Sequence, residues 1–342
     1  MSLRGKNLPK HGGQIMEVMK HFPSAPKPFV DLSTGISPYP YPISEKDLVM
    51  ITALPQIGEE IELYKAAANA YKIKDLDRIV GASGTQLLIS LLPYVLVQRH
   101  VLILGPTYSG HEISWKNAGA SVQIVEDSTK LQKAIKNQSI VVMCNPNNPD
   151  GRILSLQEIE AIAADVTQKG GWLILDEAYA DFEDFSGGEI LEKFNIIMLR
   201  SFGKSYGLPG VRLGFLVSTV SVANRMRLIL GDWSVNSVAI SVGTRALKDV
   251  SWQEEIKKKL KEDILRLSAL LQEAQLSIKG KSRLFCLVSH PQAQRFWEFL
   301  CKRGIVVRSF EERPQELRFG IPRNEEEWTR LEEACWQWQN MQ

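Results

Sequence analysis

The segment of residues 200–214 reads RSFGKSYGLPGVRLG and carries more information on fold and chemistry than any other part of the chain. It follows the apolar residues 196–199, so it begins where a buried strand would end and places Lys204 over the open edge of a sheet. A lysine partly withdrawn from water beside a cation such as Arg212 loses its proton readily and can form a Schiff base with an aldehyde. The alternative is an ordinary solvated lysine, so the interpretation depends on the neighbouring segments.

Two upstream segments also end in polar residues after an apolar run. Residues 172–179 read WLILDEAY, and residues 140–151 read IVVMCNPNNPDG. A carboxylate at the end of a buried strand is costly unless a cation accompanies it, and the nitrogen of a protonated pyridine ring is such a cation. Asp176 is therefore a candidate partner for a pyridinium nitrogen. The residues after Cys144 predict a turn, which taken alone has no functional meaning.

In this order and spacing, the three segments resemble the fold-type I enzymes that depend on pyridoxal phosphate, the aminotransferases and related decarboxylases. The resemblance extends over nearly the whole chain. It implies that Lys204 carries the cofactor as an aldimine and that Asp176 pairs with the pyridine nitrogen. With Tyr108, which would stack on the cofactor ring, these two residues are the candidate catalytic residues. The remaining implied contacts are Asn148 and Tyr179 to the phenolic oxygen, and Ser201 and Arg212 to the phosphate.

A second candidate phosphate contact lies earlier in the chain. Residues 81–86 read GASGTQ and precede the apolar residues 87–92, which predicts a loop that opens a helix. The free N–H groups at the start of a helix suit an anion, although a turn of this kind is more often only an N-cap. Because the resembling family binds the cofactor phosphate at this position, Ser83, Gly84 and Thr85 are candidate cofactor-binding residues.

Short apolar runs alternate with longer stretches that can hold helices. The runs are 101–104, 140–143, 172–175, 196–199 and 213–217. They predict an α/β fold, here of fold-type I, with a mostly parallel central sheet flanked by helices. We expect residues 40–236 to form a large cofactor-binding domain. Residues 237–342, joined on the strength of the resemblance by residues 1–39, are expected to form a smaller α+β domain.

The composition is typical of a soluble globular protein. Of 342 residues, 44% are hydrophobic and 23% are charged, and the formal net charge is +2. Since the chain has no polybasic field and no apolar span or signal peptide, we expect neither nucleic acid nor membrane as a partner. The four cysteines are scattered, without a CxxC pair or a nearby histidine, which predicts reduced thiols, no metal site and a cytoplasmic location.

The first forty residues separate this chain from general aminotransferases. His11-Gly12-Gly13 and the segment DLSTGISPYP at residues 31–40 resemble the opening of the threonine-phosphate decarboxylases of cobalamin biosynthesis. Residues 232–237 and 318–322 resemble further segments of that group. The resemblance implies conversion of L-threonine O-3-phosphate to (R)-1-amino-2-propanol O-2-phosphate, through an external aldimine that forms when the substrate displaces Lys204.

Two alternatives remain at this point. Histidinol-phosphate aminotransferases share much of the scaffold and would use 2-oxoglutarate and glutamate. A regulator that binds pyridoxal phosphate without turnover is the second alternative. Decarboxylation and transamination differ in which bond at the alpha carbon stands perpendicular to the cofactor ring, and a sequence gives no such torsion. After loss of carbon dioxide the alpha carbon must gain a proton, for which Lys204 is a candidate donor.

The expected substrate is a small phosphorylated amino acid, so its carboxylate and phosphate need two anion sites besides the one for the cofactor. The resemblance places Arg318 on the carboxylate, and a guanidinium suits that group better than an ammonium. Arg308 and His11 are further candidates, with a solvated arginine and a loop histidine as the alternatives. Gly35 and Asn148 complete the candidate substrate-binding residues.

The sequence departs from the wider family pattern at three positions. Gly203 replaces a common hydroxyl residue, and Asp150 stands where threonine usually follows Asn-Pro. Leu54 occupies a position often held by a tyrosine that reaches the cofactor phosphate of the neighbouring subunit. That contact is then missing or supplied by another residue, such as Tyr64. The homodimer itself is implied by the resemblance.

Overall fold

The computed structural model describes residues 11–183 and 187–341. Contacts divide the chain into two compact units. The larger unit runs from Pro40 to Ile256, and the smaller unit combines the residues up to Tyr39 with those from Lys257 onward. The predicted domain boundary after residue 236 stays a prediction, because compactness alone does not define a domain. In the part of the chain that the structure describes, no helix is both long and apolar enough to cross a membrane.

Strands and helices alternate along most of the described residues. The strands are β1 (Val30–Leu32), β2 (Ile79–Ala82), β3 (His100–Leu104), β4 (Ser121–Val125), β5 (Ile140–Cys144), β6 (Trp172–Asp176), β7 (Ile196–Ser201), β8 (Gly214–Val217), β9 (Ser277–Ser282), β10 (Phe285–Ser289), β11 (Ile305–Ser309) and β12 (Glu316–Gly320). The helices are α1 (Ile15–His21), α2 (Glu45–Val49), α3 (Ile57–Tyr71), α4 (Thr85–Val95), α5 (Ser109–Asn117), α6 (Ser128–Ala134), α7 (Leu156–Gln168), α8 (Phe202–Ser205), α9 (Val220–Leu230), α10 (Ser237–Lys248), α11 (Val250–Glu273), α12 (Ala293–Cys301) and α13 (Glu325–Gln339).

The larger unit is built on a seven-stranded sheet with the order β2-β8-β7-β6-β5-β3-β4. Strands β4, β3, β5, β6 and β7 pair in parallel. Strand β8 is antiparallel to both of its neighbours. The predicted α/β fold with a mostly parallel sheet is therefore confirmed. The apolar pattern of the sequence did not identify strands β2 and β4. The residues of β2 are buried, whereas those of β4 are mostly exposed or half-buried.

The side chains of the central strands point alternately to the two faces of the sheet, so the core has two layers. Leu173 and Leu175 of β6 pack in the cluster that also contains Tyr71 and Phe215. Ile174, between them, packs in the other cluster, on the opposite face of the sheet. Successive side chains of a strand point to opposite faces, and both faces of this sheet are covered, which explains the unbroken apolar runs in the sequence.

The sequence contains two capping-box patterns, SLQE at residues 155–158 and SWQE at residues 251–254, and each predicts a helix capped by its serine. At α7, the Ser155 hydroxyl accepts a hydrogen bond from the N–H of Glu158, and the Glu158 carboxylate accepts from the N–H of Ser155, as predicted. At α11 the prediction was wrong. Helix α11 already includes Ser251, and the carboxylate of Asp249 accepts from the N–H of Trp252. Asp249 caps this helix because it lies immediately before the first turn.

The smaller unit contains a five-stranded sheet with the order β1-β11-β12-β10-β9. Strands β1 and β11 are parallel, whereas the other neighbours are antiparallel. Strand β1 comes from the N-terminal part of the chain and pairs with a strand near the other end of the sequence, Val30 lying opposite Ile305. The N-terminal segment is thus a structural part of this unit.

Replacing Ser155 with alanine is expected to lower the free energy of unfolding by about 1 kcal/mol, because the N–H of Glu158 loses its acceptor. Ser251→Ala is the matched control. Ser251 is exposed, so its replacement should change the free energy of unfolding by less than about 0.5 kcal/mol. Urea denaturation followed by circular dichroism measures both. Equal losses in the two variants would contradict the assignment of the caps.

Candidate active site

The candidate site in the larger unit lies at the carboxyl ends of its parallel strands. Strand β5 ends at Cys144, β6 at Asp176 and β7 at Ser201, with Lys204 in the short helix α8 that follows. Parallel strands bring these ends to one edge of the sheet, where ligands bind in open α/β sheets. The structure therefore brings together the residues that the sequence identified separately.

Asp176 is almost fully buried and lies opposite Cys144 on the neighbouring strand. Its Oδ2 lies 2.9 Å from His111 Nε2, and its Oδ1 accepts from the N–H of Ala178 at 3.0 Å. Burial opposes ionisation, but these hydrogen bonds, His111 and the charge of Lys204 outweigh it and lower the pKa of Asp176. A carboxylate only accepts hydrogen bonds, so His111 Nε2 carries the hydrogen.

His111 is a site residue that the sequence analysis missed. It is fully buried in the first turn of α5, and its ring meets that of Tyr108 edge to face, with 6.2 Å between centroids. Among the described residues, its Nδ1 has no hydrogen-bond partner. Its position three residues after the aromatic residue of the Gly-Pro-Thr-Tyr segment is the only local signal, because Asp176 lies 65 residues further along the chain.

His111, Cys144 and Asp176 each offer a possible metal ligand, and these atoms lie within 4.8 Å of one another. The sequence analysis expected no metal site here. Burial, and then the charge of Asp176, raise the pKa of the Cys144 thiol far above its ordinary value. Because metals bind the thiolate, this environment disfavours a metal. A buried carboxylate that is held ionised suits a cationic ring nitrogen instead.

Lys204 is half-buried and lies among other predicted residues. Its Nζ lies 3.5 Å from Ser201 Oγ and 4.8 Å from the centroid of the Tyr179 ring. Gly203, just before it, packs so closely against residues 208 and 209 that a Cβ would lie 2.9 Å from Pro209 Cα. This contact explains why a hydroxyl residue is absent at position 203.

A cradle for an anion forms where α4 begins. Gly84 precedes the helix with a φ of +83°, and a Cβ there would lie 2.7 Å from Nη2 of Arg212. A Cβ on Gly214 would lie 2.6 Å from the N–H nitrogen of Thr85. Arg212 itself has left-handed backbone, and its guanidinium lies against this loop. The guanidinium and the N–H groups of the first turn together fit a phosphate.

Ser83 and Tyr108 border this cradle. The Ser83 hydroxyl donates to the Ser234 carbonyl at 3.1 Å, so it holds the loop. The Tyr108 hydroxyl donates to Gln86 Oε1 at 2.5 Å. Burial, followed by the charge of Asp176, raises the pKa of Tyr108 and keeps its phenol neutral. A neutral, fixed ring at this position is suited to stack on a planar cofactor.

The turn after β5 is ordered by its own side chains. Asn147 Nδ2 donates to Asp150 Oδ1 at 2.7 Å and to the Pro106 carbonyl at 2.9 Å. Asp150 also accepts from the N–H of Arg152. The aspartate that departs from the family pattern thus takes part in the turn that positions Asn148, which is half-buried.

The other candidate substrate residues, His11, Gly35, Arg308 and Arg318, lie in the smaller unit. Arg318 of β12 is nearly buried, lies opposite Arg308 of β11, and donates to the Ser33 carbonyl at 3.2 Å. Burial, and then the charge of Arg318, lower the pKa of Arg308 to about 10. Two cations that lie opposite each other, one buried and one half-buried, repel, so this pair suits an anion.

The segment with His11 packs beside this pair, whereas the His11 side chain is exposed. A Cβ on Gly12 would lie 2.2 Å from the Ser33 carbonyl oxygen, and the N–H of Gly13 donates to the Ser33 hydroxyl at 2.8 Å. Gly35 is buried two residues after Ser33. The glycines are thus needed for the close approach of the two backbones. The structure brings the four candidates into one region of the unit.

The sequence profile of the family of aminotransferases of class I and II matches residues 49–334. The chain therefore belongs to this family, whose members depend on pyridoxal phosphate. It is 32% identical to the threonine-phosphate decarboxylase of Pseudomonas aeruginosa, over 95% of this chain and 96% of the relative. It is 35% identical to the threonine-phosphate decarboxylase of a Sinorhizobium species, over 91% and 92%.

Histidinol-phosphate aminotransferases are similar as well. The chain is 29% identical to that of Microcystis aeruginosa, over 82% of this chain and 84% of the relative. The crystal structure of histidinol-phosphate aminotransferase from Sinorhizobium meliloti in complex with pyridoxal-5'-phosphate has a TM-score of 0.83, at 20% identity, covering 98% of this chain and 96% of that one. This likeness confirms the fold.

Gly84→Ala is expected to weaken binding of pyridoxal phosphate at least tenfold, because the new methyl group strains the left-handed backbone and displaces Arg212. Gly210→Ala is the matched control in the same region, since a Cβ there meets nothing within 4 Å. Titration of the cofactor into the apo-protein, followed by absorbance, gives both dissociation constants. Unchanged affinity in Gly84→Ala would show that the cradle does not hold the phosphate.

The ionised state of Asp176 has a pH-dependent consequence for stability. Its folded-state pKa lies below the unfolded value of about 3.9, so its contribution is present above that value and is lost as pH falls through the folded pKa. The free energy of unfolding of the wild-type apo-protein should therefore fall more steeply below about pH 4 than that of Asp176→Asn. Parallel curves in urea denaturation at several pH values would contradict the low pKa.

Proposed function

We propose that this protein is a pyridoxal-phosphate-dependent decarboxylase that converts L-threonine O-3-phosphate to (R)-1-amino-2-propanol O-2-phosphate in cobalamin biosynthesis. The observation that carries the proposal is the similarity to two threonine-phosphate decarboxylases at 32% and 35% identity, over more than nine-tenths of the chain. The paired arginines of the smaller unit support it, because the substrate carries two anionic groups beyond the cofactor phosphate.

Bound pyridoxal phosphate supplies an electron sink for the pair of electrons released at the alpha carbon of the substrate. Lys204 is the proposed point of covalent attachment. The Asp176 carboxylate, held ionised by His111, keeps the ring nitrogen protonated. Tyr108 stacks on the ring, and Asn148 and Tyr179 bind the phenolic oxygen. The phosphate is held by Arg212, Ser201 and the loop of Ser83, Gly84 and Thr85.

The residues proposed for substrate recognition are His11, Gly35, Asn148, Arg308 and Arg318. Arg318 binds the carboxylate through two parallel hydrogen bonds, a geometry that a guanidinium provides. Arg308 and His11 are assigned to the substrate phosphate, and Gly35 leaves room for the ligand beside Ser33. Fixing the carboxylate also fixes the torsion at the alpha carbon, which decides between loss of carbon dioxide and loss of a proton.

Lys204 would have a second role besides holding the cofactor, because its amine can carry a proton. The Nζ of Lys204 is the proposed donor of the proton that replaces the lost carboxylate at the alpha carbon. The hydroxyl of Ser201, 3.5 Å from Nζ, and the ring of Tyr179 restrict where this amine can lie.

The proposed assembly is a cytoplasmic homodimer. Exposed apolar side chains lie along α2, the turn after it and the start of α3: Leu48, Val49, Ile51, Leu54 and Ile57. They support the proposal because a second subunit would cover them. Leu54 belongs to this set and is 61% exposed. Tyr64, whose ring packs within 3.2 Å of the Cβ position of Gly81, is the proposed substitute for the tyrosine missing at position 54.

An aminotransferase of histidinol-phosphate type is the second candidate, favoured by the 29% identity to such an enzyme. It requires a keto-acid partner, whereas the decarboxylase does not. A regulator that binds the cofactor without turnover is the third candidate. Turnover without a keto acid, turnover only with a keto acid, and no turnover therefore distinguish the decarboxylase, the aminotransferase and the regulator.

Incubation of the cofactor-loaded protein with L-threonine O-3-phosphate, without a keto acid, is expected to yield 1-amino-2-propanol O-2-phosphate by mass spectrometry. Lys204→Ala should abolish the product. Arg318→Lys should raise KM at least tenfold, because one amine cannot replace a two-pronged guanidinium. Arg323→Lys, an exposed control, should leave KM unchanged. Glutamate formed from histidinol phosphate and 2-oxoglutarate instead would establish the aminotransferase, and no turnover with any amine would favour the regulator.

A further inference from the structure

Tyr108, whose ring borders the candidate phosphate cradle, is held by a side chain to which the proposed reaction gives no role. The Tyr108 hydroxyl donates to Oε1 of Gln86 at 2.5 Å. Gln86 lies in the first turn of α4, one residue after Thr85, whereas Tyr108 immediately precedes α5. This hydrogen bond therefore joins the start of α5 to the first turn of α4.

The Gln86 amide is held in turn by Ser90, one helical turn further along α4. Gln86 Nε2 donates to Ser90 Oγ at 3.1 Å, and the Ser90 hydroxyl donates to the Gln86 carbonyl at 3.0 Å. A hydroxyl has one hydrogen, which that carbonyl takes, so the Ser90 oxygen is left to accept. The amide nitrogen of Gln86 therefore faces Ser90, and its oxygen faces the phenol of Tyr108.

The Tyr108 ring is also packed tightly against the backbone of Gly110. A Cβ at position 110 would lie 2.4 Å from Cε1 of Tyr108 and 3.0 Å from Oε1 of Gln86. Gly110 is buried in the first turn of α5 and does not have left-handed backbone. A glycine is thus needed here for the space that the ring and the amide fill, and not for its backbone conformation.

The first turn of α4 takes part in two of the proposed contacts to the cofactor. Gly84 and Thr85 of the cradle directly precede Gln86 in the sequence. A phosphate bound at this turn would be placed by its N–H groups, and the stacked ring would be placed by the Gln86 side chain. Gln86 is exposed, so its hydrogen bond competes with water and its net contribution is small.

We propose that Gln86 is a positioning residue that fixes the orientation of the Tyr108 ring against the cofactor, by tying the Tyr108 hydroxyl to the first turn of α4. Gln86 acts through Tyr108 and is assigned no contact with the substrate. The proposal rests on the proposed stacking of Tyr108 on the cofactor, but not on the identity of the substrate.

The test measures binding of pyridoxal phosphate to the apo-protein without substrate. Gln86→Leu keeps the approximate size of the side chain and removes the acceptor, so the dissociation constant should rise about threefold. The visible circular dichroism of the bound cofactor should weaken as well, because this signal depends on how the protein orients the cofactor and the rings around it. Gln86→Glu retains an acceptor oxygen and should keep the circular dichroism of the wild type.

A double-mutant cycle determines whether the effect passes through the Tyr108 hydroxyl. Tyr108→Phe keeps the ring and removes the donor, so it should raise the dissociation constant about as much as Gln86→Leu does. In the double variant the two changes should not add, because they remove the same hydrogen bond.

The close packing at Gly110 provides a second probe of the ring. Gly110→Ala places a methyl group against Tyr108 and should raise the dissociation constant about tenfold. Gly58→Ala is the matched control, because it changes the same second position of a helix, here α3, where a Cβ meets nothing within 4 Å. It should leave the dissociation constant unchanged.

A pair of serines tests the support of the amide and keeps the test available if Gln86→Leu does not fold. Ser90→Ala releases Nε2 of Gln86 and should raise the dissociation constant by a smaller factor than Gln86→Leu. Ser114→Ala is its control on α5, since the Ser114 hydroxyl also donates to the carbonyl four residues earlier, at 2.7 Å. Thermal unfolding of each apo-protein reports the structural effect separately.

Three results would overturn the proposal. They are an unchanged dissociation constant and circular dichroism in Gln86→Leu, an equal effect of Gln86→Leu with and without the Tyr108 hydroxyl, and the same loss of signal in Gln86→Glu as in Gln86→Leu. Failure of the proposed stacking has a different signature. If Tyr108→Ala bound the cofactor as tightly as the wild type, with the same circular dichroism, the ring would not contact the cofactor, whatever Gln86 does.

Discussion

The structure of the larger unit depends on the alternation of side chains at the ends of β6 and β7. Consecutive residues of a strand face opposite sides, so the chain can place Asp176 toward the proposed cofactor site only by placing Glu177 in the core on the other side. A carboxylate in the core needs a partner, and Arg200 of the next strand supplies it. The charge required on the front of the sheet thus determines a second set of charges behind it.

Three of the candidate site residues are also held in place by hydrogen bonds within the larger unit. Asp176 is held by His111 and by a backbone N–H, Tyr108 by Gln86, and Ser83 by the Ser234 carbonyl. Each of these three side chains is thus fixed by another part of the same unit. A site arranged in this way loses little conformational entropy when the ligand binds.

The sequence predicted the parallel sheet and the residues at its edge, because apolar runs followed by polar residues mark strand ends wherever both faces are covered. It did not reveal His111 or the pairing of Arg200 with Asp181, since these contacts join segments that have no local pattern in common. Strand β4 was missed because its side chains are mostly exposed, and the cap of α11 was assigned to Ser251 because Asp249 forms no capping box.

The arginine pair of the smaller unit has a practical consequence. Arg308 lies opposite Arg318, and the charge of Arg318 contributes to the lowered pKa of Arg308, so a small tetrahedral or planar anion would suit this pair. Inorganic phosphate and sulfate belong to that chemical class, so at this pair they would compete with the proposed phosphorylated substrate and would stabilise the fold by mass action. In buffers that contain them, the measured free energy of unfolding would be too high and the measured affinity for the substrate too low. Both errors would come from anion binding at this arginine pair.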